Sequence, residues 1–403
     1  MPSPKILLVA NNFPPIRGGS ASVYASIARC AAPQIAVLAP QINYNDGTEL
    51  PGWREYDQAA PYPIARLKLL RTALPSTPPK GCAKFAFTLT DLVIRARMIA
   101  WIAAFLIKYR PRTVCVGELL ASRWLINLLR LVPNLKIVAY VHGEEITTAD
   151  PYDPKATRRR EALEAADRII VVSRFTRDAV LALLGSLALP KIALIENGLD
   201  TALFRPTQRR PDLVARYGLQ DQFVFVSVCR LLEKKGIDHA LGAFAKILET
   251  HPDSRFLVVG SGPFEPHLRD LAKTLGIVAK VIFAGSVPDD ALAAHYALGD
   301  VFVMPNRALP NGDTEGFGLV FLEANGCGLP VIAGRDGGSG DAVRNGDNGL
   351  VVDGKSIEEI TEAMQRLREN PQLRADLAAN GQDAAKAADW SHKAQAFMEV
   401  CGV

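Results

Sequence analysis

Phe-Val-Phe-Val-Ser-Val occupies residues 223–228 and is followed at 229–236 by Cys-Arg-Leu-Leu-Glu-Lys-Lys-Gly. A continuous run of Val and Phe that ends in a polar loop is typical of a strand buried on both faces of a parallel sheet. Comparable runs, with helical spacing between them, lie at 5–10, 35–39, 113–117, 136–142, 168–173, 191–196, 255–260, 280–285, 301–305, 329–334 and 349–352. This alternation predicts a doubly wound α/β fold.

The apolar runs form two groups, and 403 residues exceed the size of one ordinary core. The polar segment Asn197–Pro211, with Pro206 inside it, is predicted to join two units. We predict domains at 1–205 and 206–385, with a C-terminal helix at 386–403. Ligands of open α/β sheets bind beyond the carboxyl ends of the strands, so we expect a cleft between the units that is lined by post-strand loops.

Composition and charge limit the classes of protein. The 49% apolar and 22% charged content fits a globular chain. The N-terminal MPSPKILLVA lacks the features of a secretory signal, which predicts a cytoplasmic protein. Six scattered cysteines without a C-x-x-C pair argue against disulfides and zinc, and are expected to be small buried hydrophobes.

Positive charge is concentrated in residues 1–200, which hold 25 Lys/Arg against 16 Asp/Glu, a net +9. The rest of the chain therefore carries −5, since the whole chain carries +4. The apolar run Met98–Ile107 has about half of the ~20 residues that a membrane span needs. The excess indicates either an ordinary solvated face or reversible docking on an anionic membrane, and we expect no nucleic-acid partner.

The most informative segment is Glu-Gly-Phe-Gly-Leu-Val-Phe-Leu-Glu at 315–323, after the run at 301–305. If a helix begins near Gly316, Glu323 lies about two turns inside it and Glu315 stands at its start. The N–H groups of such a helix start, with Gly318 nearby, favour binding of a diphosphate. The alternative is an ordinary capped helix with one solvent-facing glutamate.

Other polar groups follow other strands. Arg230 and Lys235 come after the run at 223–228 and are candidates to clamp a diphosphate, although a surface charge run reads the same way. His142 ends the run at 136–142, where it is either structural or reactive. Glycine turns that face the same predicted edge are Gly18-Gly19 and Gly260-Ser-Gly262. No D-x-D metal signature ends a strand convincingly, and Asp289-Asp290 reads as a helix start.

These segments together resemble the retaining glycosyltransferases of family 4, over essentially the whole chain. The E-x7-E element at Glu315 and Glu323 is the specific part. The supporting segments occur in the expected order, namely Gly18-Gly19, His142-Gly143, Val172-Ser173, Glu196–Asp200, Arg230 with Lys235, Gly260–Gly262 and Gly285. The resemblance implies the GT-B fold, with an N-terminal Rossmann-like domain for the acceptor, a C-terminal Rossmann-like domain for the donor, and a last helix that crosses back to the N-terminal domain.

The resemblance also implies a role for each matching residue. Glu323 is expected to hold the donor ribose and Glu315 the transferred sugar, while Arg230 and Lys235 hold the diphosphate. The resemblance further implies donor contacts from the backbone of Gly316, Phe317 and Gly318, and from Gly19 with its neighbour Gly18. It also implies contacts from the turn at Gly262 and from the stretch up to Val287, which borders the base. His142 is expected at the sugar or the reacting centre.

The implied reaction is hexose transfer from a nucleoside-diphosphate sugar, without metal or other cofactor, to a lipid-linked or saccharide acceptor. Retention implies front-face attack, in which the leaving phosphate helps to deprotonate the acceptor while Arg230 and Lys235 stabilise the charge. The match is nearest to bacterial mannosyltransferases, and both GDP-mannose and a UDP-hexose remain open as donors. The alternatives are a non-catalytic sugar-nucleotide-binding protein and a GT-B-like epimerase.

Overall fold

The computed structural model describes residues 3–44, 46–75 and 77–403, so Met1 and Pro2, part of the N-terminal stretch used above, lie outside the described residues. The chain divides into two compact units. Unit 1 comprises the chain up to Glu196 together with Trp390–Val403, and unit 2 comprises Asn197–Asp389.

Each unit is built on one sheet. The strands of unit 1 are β1 Ile6–Val9, β2 Ile35–Pro40, β3 Ile64–Leu67, β4 Thr113–Gly117, β5 Lys136–Val141, β6 Arg168–Val171 and β7 Ile192–Leu194. The strands of unit 2 are β8 Phe223–Val228, β9 Ser254–Val259, β10 Val281–Gly285, β11 Val301–Met304, β12 Val331–Gly334 and β13 Gly349–Val352.

Helices connect these strands. Those of unit 1 are α1 Gly19–Cys30, α2 Trp53–Ala59, α3 Gly81–Tyr109, α4 Leu119–Leu129, α5 Glu144–Thr147, α6 Thr157–Ala165, α7 Arg174–Leu184 and, at the end of the chain, α16 Trp390–Cys401. Those of unit 2 are α8 Pro211–Tyr217, α9 Ile237–Thr250, α10 Glu265–Thr274, α11 Leu292–Tyr296, α12 Leu319–Gly326, α13 Ser339–Ala342, α14 Ile357–Glu369 and α15 Pro371–Ala387. Short 3-10 turns lie at Ser186–Lys191, Glu233–Lys235, Val278–Lys280 and Asp289–Ala291.

Both sheets are parallel and have equivalent strand orders. The order is β3-β2-β1-β4-β5-β6-β7 in unit 1 and β10-β9-β8-β11-β12-β13 in unit 2. In unit 1 the residue Ile6 of β1 faces Ile35 on one side and Thr113 on the other. The strand order therefore reverses direction between β1 and β4, and between β8 and β11, and such switch points are where open α/β sheets bind ligands.

The sheets are buried because helices cover both faces. Every residue of β1, β2, β4, β8 and β11 is buried, which explains their uninterrupted apolar sequences. From α3, the core of unit 1 receives Ile94, Met98, Ile102 and Phe105, whose spacing places them on one helix face. The helix α16 packs in unit 1, where the hydroxyl of Thr113 donates a 2.6 Å hydrogen bond to the Cys401 carbonyl oxygen.

The fold class predicted from the sequence is confirmed, and each predicted strand is present. The strand β3 was missed because it is a half-buried edge strand in an irregular segment. The expectation of buried cysteines is wrong for Cys82, which is exposed, and for Cys30, which is half-buried. Among the described residues, no helix combines the length and apolar character required for a transmembrane span.

Candidate functional site

The switch point of unit 2 brings two loops together. The loop after β8 carries Arg230 and the 3-10 turn Glu233–Lys235, and the loop after β11 leads to Glu315 and α12. The ammonium group of Lys235 forms a close, half-buried ion pair with the carboxylate of Glu315. Arg230 is exposed and forms no ion pair with any residue in the described ranges. One sequence-predicted cation is therefore paired with a predicted sugar-binding carboxylate, and the other faces solvent.

A second set of ion pairs holds these loops together. Lys234 Nζ lies 2.6 Å from Asp313 Oδ1, and the Arg307 backbone N–H donates a 2.8 Å hydrogen bond to the Lys234 carbonyl oxygen. The Arg307 guanidinium binds both carboxylate oxygens of Asp238, at 2.7 and 2.8 Å. These supporting ion pairs were not predicted from the sequence. Lys234 and Lys235 are adjacent, and nothing in the sequence indicates which of the two is buried in an internal ion pair.

Burial would raise the pKa of Glu315, but the positive charges of Lys235 and Lys234 outweigh it and hold that pKa below its ordinary value. Glu315 is therefore a carboxylate at neutral pH. A fixed carboxylate beside an ammonium can accept hydrogen bonds from sugar hydroxyls, while Lys235 retains donors for a second partner.

The helix α12 begins later than the sequence analysis expected. Its first residue is Leu319, because Gly318 adopts a left-handed conformation with φ 89° and acts as the N-cap. A side chain there would be strained, and a Cβ would lie 2.5 Å from the Phe321 ring. Glu323 is thus just over one turn inside the helix rather than about two. No side chain caps the helix start, which leaves its N–H groups available to an anion.

Glu323 is a half-buried carboxylate that accepts a 2.7 Å hydrogen bond from the hydroxyl of Tyr296. Burial raises the pKa of Glu323 to about 7, although the Tyr296 hydrogen bond opposes this. Tyr296, at the end of α11, was not identified from the sequence. Its hydroxyl orients Glu323, which leaves the other carboxylate oxygen for a ligand.

The other predicted donor contacts lie at the ends of neighbouring strands. Gly262 follows β9, and a Cβ there would come within 2.2 Å of the Leu231 carbonyl oxygen, so only glycine fits. Val287 is half-buried two residues beyond β10, and Phe317 is buried beside Gly316. Since the strands are parallel, all these residues lie at one edge of the unit 2 sheet.

The remaining predicted residues belong to unit 1. Gly18 and Gly19 stand at the uncapped start of α1, after β1. His142 follows β5, with its ring stacked on Tyr140 at 5.1 Å and edge-on to Tyr24 at 5.1 Å. Burial lowers the pKa of His142 to about 4, so the imidazole is neutral at pH 7. Its buried Nε2 has no hydrogen-bond partner among the described residues.

Family models match most of the chain. The model of group 1 glycosyl transferases matches residues 210–384, and that of glycosyltransferase family 4 matches residues 59–203. A GDP-mannose-dependent alpha-(1-6)-phosphatidylinositol monomannoside mannosyltransferase of Mycolicibacterium smegmatis is 33% identical over 93% of this chain and 92% of its own length. The chain belongs to glycosyltransferase family 4. This confirms the enzyme class that the sequence resemblance implied.

One further relative is similar to this glycosyltransferase in sequence, and two solved structures are similar to it in fold. A monoacylated-substrate mannosyltransferase of the same kind from Corynebacterium glutamicum is 29% identical over 96% of the chain and 95% of its own length. The sucrose-phosphate synthase of Thermosynechococcus elongatus has a TM-score of 0.77 at 23% identity, covering 98% of this chain and 97% of that one. Anabaena HepE in complex with UDP has a TM-score of 0.76 at 21% identity, covering 99% of both chains. The glycosyltransferase thus has the GT-B fold.

Proposed function

We propose that this glycosyltransferase transfers mannose from GDP-mannose to a hydroxyl group of a mannosylated inositol lipid, with retention of configuration. The observation that carries the proposal is the 33% identity, over nearly the full length of both chains, to an enzyme named for that donor and that lipid. The edge of the unit 2 sheet supports it, because an exposed cation, a helix start and a half-buried carboxylate together suit a nucleoside-diphosphate sugar. A UDP-hexose is the competing donor.

In the proposed reaction the bond between the anomeric carbon and the phosphate oxygen breaks, and the acceptor oxygen bonds to the same face of that carbon. The acceptor proton passes to the leaving phosphate oxygen. Arg230, Lys235 and the N–H groups at the start of α12 stabilise the negative charge on the departing diphosphate. These groups supply the positive charge, so we propose that transfer needs no divalent metal. Glu315 accepts hydrogen bonds from the mannose hydroxyls.

The test offers the purified enzyme GDP-mannose, UDP-glucose and UDP-galactose, each with phosphatidylinositol monomannoside, in excess chelator. We expect a product one mannose heavier from GDP-mannose alone, and an α-anomeric signal for the new linkage in the NMR spectrum. A product from a UDP-hexose would overturn the donor, and a β linkage would overturn retention. Complete loss of activity in chelator that magnesium or manganese restores would overturn metal independence.

The outward face of α3 bears on where the lipid is met. Six large apolar side chains of this helix are exposed among the described residues, namely Phe85, Leu89, Leu92, Val93, Ile99 and Ile107. They lie opposite the buried face that contains Met98. Arg97 and Lys108 are also exposed on this helix. Arg66 does not add to this exposed charge, because its side chain is buried in an ion pair with Asp57.

We propose that this apolar face, with its flanking cations, docks reversibly on an anionic bilayer. The net charge of +9 in residues 1–200 favours an anionic surface over a neutral one, since each cation near it contributes about 1 kcal/mol. Each large apolar side chain that enters the lipid adds about 1.5–3 kcal/mol. Several of these cations and apolar side chains together are enough to hold the protein on the bilayer, and the contribution of the cations makes the binding depend on salt.

Liposome co-sedimentation tests the docking. We expect binding to phosphatidylglycerol vesicles at low salt, weaker binding at high salt, and little binding to phosphatidylcholine. The variant Phe85→Ser/Leu92→Ser should lose binding, while Leu187→Ser, which changes a still more exposed leucine outside α3, should retain it. Equal, negligible binding of the parent to both vesicles contradicts docking. A dimeric parent that becomes monomeric in the double variant would instead make this face a contact between two copies.

A further inference from the structure

The switch point of unit 1 contains a glutamate that no role assigned above uses. Glu118 follows β4 directly, and β4 is the sheet neighbour of β1. In the equivalent strand order of unit 2, the neighbouring ends of β8 and β11 carry Arg230 and the loop to Glu315. Ligands of open α/β sheets bind at such a reversal of strand order. The position of Glu118 therefore matches that of a ligand-binding residue.

The backbone of Glu118 is strained. Its φ is 58°, in the left-handed region that residues with a Cβ rarely adopt. The conformation is held in part by a 2.7 Å hydrogen bond from the Asn12 backbone N–H, in the loop after β1, to Glu118 Oε1. No described residue donates a hydrogen bond to Oε2. Strain of this kind is concentrated at binding and catalytic sites, where it presents a side chain to a ligand.

Two buried polar groups near this carboxylate have no partner among the described residues. Asn11 is 1% exposed, and its Nδ2 donates a 3.2 Å hydrogen bond to the Ser122 hydroxyl, whereas its Oδ1 has no partner among the described residues. The hydroxyl of fully buried Tyr24 lies against Gly117, where a Cβ would come within 2.4 Å of it, and it too has no described partner. Each is a group that a ligand hydroxyl can satisfy.

The chemistry of these groups selects the kind of ligand. Asn11 Oδ1 only accepts hydrogen bonds, and so does Glu118 Oε2 when the carboxyl is ionised, so a phosphodiester, which carries no O–H, offers neither oxygen a donor. Sugar and polyol hydroxyls both donate and accept, so they match two acceptors beside the Tyr24 hydroxyl.

We propose that Glu118 and Asn11 form a subsite of unit 1 that binds hydroxyl groups of an uncharged sugar or polyol ring of the acceptor. This rests on the proposed function only for the identity of the acceptor lipid. The subsite fixes the orientation of the ring and thereby selects the acceptor hydroxyl that reacts. Phosphate and acyl chains of the acceptor bind elsewhere.

The first test measures transfer from GDP-mannose to phosphatidylinositol monomannoside by the parent, Glu118→Gln and the matched control Glu161→Gln, an exposed glutamate of α6. We expect the KM for the lipid to rise about tenfold in Glu118→Gln, with GDP affinity and slow hydrolysis of GDP-mannose unchanged. The control should match the parent in all three. An unchanged lipid KM in a folded Glu118→Gln enzyme overturns the subsite and leaves the proposed function intact.

The second test does not depend on transfer. Saturation-transfer NMR with methyl α-mannopyranoside, and separately with myo-inositol, should show binding to the parent of at least one ring, and loss of it in Glu118→Gln. Loss of ring binding in Glu118→Gln supports the subsite. If the parent also forms no lipid product, only the proposed acceptor is overturned. The subsite is overturned if ring binding survives in Glu118→Gln, or if the parent binds neither ring. If thermal melting shows that Glu118→Gln is unfolded, Glu118→Gly, which accommodates φ 58°, replaces it in both tests.

Discussion

Alanine in place of Arg230 is expected to lower kcat by about 10² to 10³, the scale for removing one preorganised charge from a developing anion. The physical reason is that Arg230 is exposed at the end of β8 and unpaired among the described residues, so its charge is available to the departing diphosphate. Its removal breaks no internal ion pair, and the melting temperature should not change. Single-turnover kinetics with saturating GDP-mannose measure the effect directly.

Lys235→Ala should lower turnover to a similar extent but should also destabilise unit 2. It leaves the half-buried carboxylate of Glu315 without its counter-ion, and the cost should approach the ~3–5 kcal/mol of breaking a fully buried pair. Lys246→Ala, which opens an exposed pair with Glu358, is the control for charge loss alone and should keep full activity. Near-normal catalytic efficiency in soluble Arg230→Ala and Lys235→Ala enzymes would falsify the diphosphate assignment.

The strands of this protein were predictable because most are buried on both faces. A run such as Val301–Met304 has apolar residues at every position, as Ile6–Val9 also does, and that pattern is typical of a strand covered on both faces. The strand β3 contains Ala65 and Arg66 and pairs on one side only, so its sequence resembles that of a loop. The start of α12 was misplaced because Gly316 and Gly318 are both compatible with a helix start, and only φ at Gly318 decides between them.

Candidate site residues could be predicted where a residue with a titratable side chain follows a strand. Arg230, Lys235, Glu315 and His142 were found in this way, and their catalytic roles remain predictions. Glu118 meets the same criterion after β4, but it belongs to none of the segments that carry the family resemblance. The roles of Lys234 and Tyr296 depend on contacts across about 80 and 27 residues of chain, which no local pattern encodes.

Removal of the Glu323 carboxylate in Glu323→Ala is expected to weaken GDP binding by about 1–3 kcal/mol, because it leaves two ribose hydroxyls without their acceptor. Tyr296→Phe should give a smaller loss. It removes only the 2.7 Å hydrogen bond that orients the carboxylate and leaves the carboxylate itself in place. Isothermal titration calorimetry with GDP measures both variants against the parent, and equal affinity in Glu323→Ala and parent would show that Glu323 does not hold the ribose.

The pH dependence of GDP binding gives a second, independent readout of the same residue. Burial holds the pKa of Glu323 at about 7, so the group is a carboxylate above that pH and gains a proton below it. A protonated carboxyl has one hydrogen-bond acceptor fewer, and GDP affinity should therefore fall as the pH drops through 7. GDP itself titrates nearby, so the quantity to compare is the parent minus Glu323→Gln, whose neutral amide cannot ionise. If that difference is flat between pH 6 and 8, Glu323 either does not titrate there or does not contact the nucleotide. If GDP affinity falls with falling pH in the parent but not in Glu323→Gln, protonation of Glu323 is what weakens the binding of the ribose.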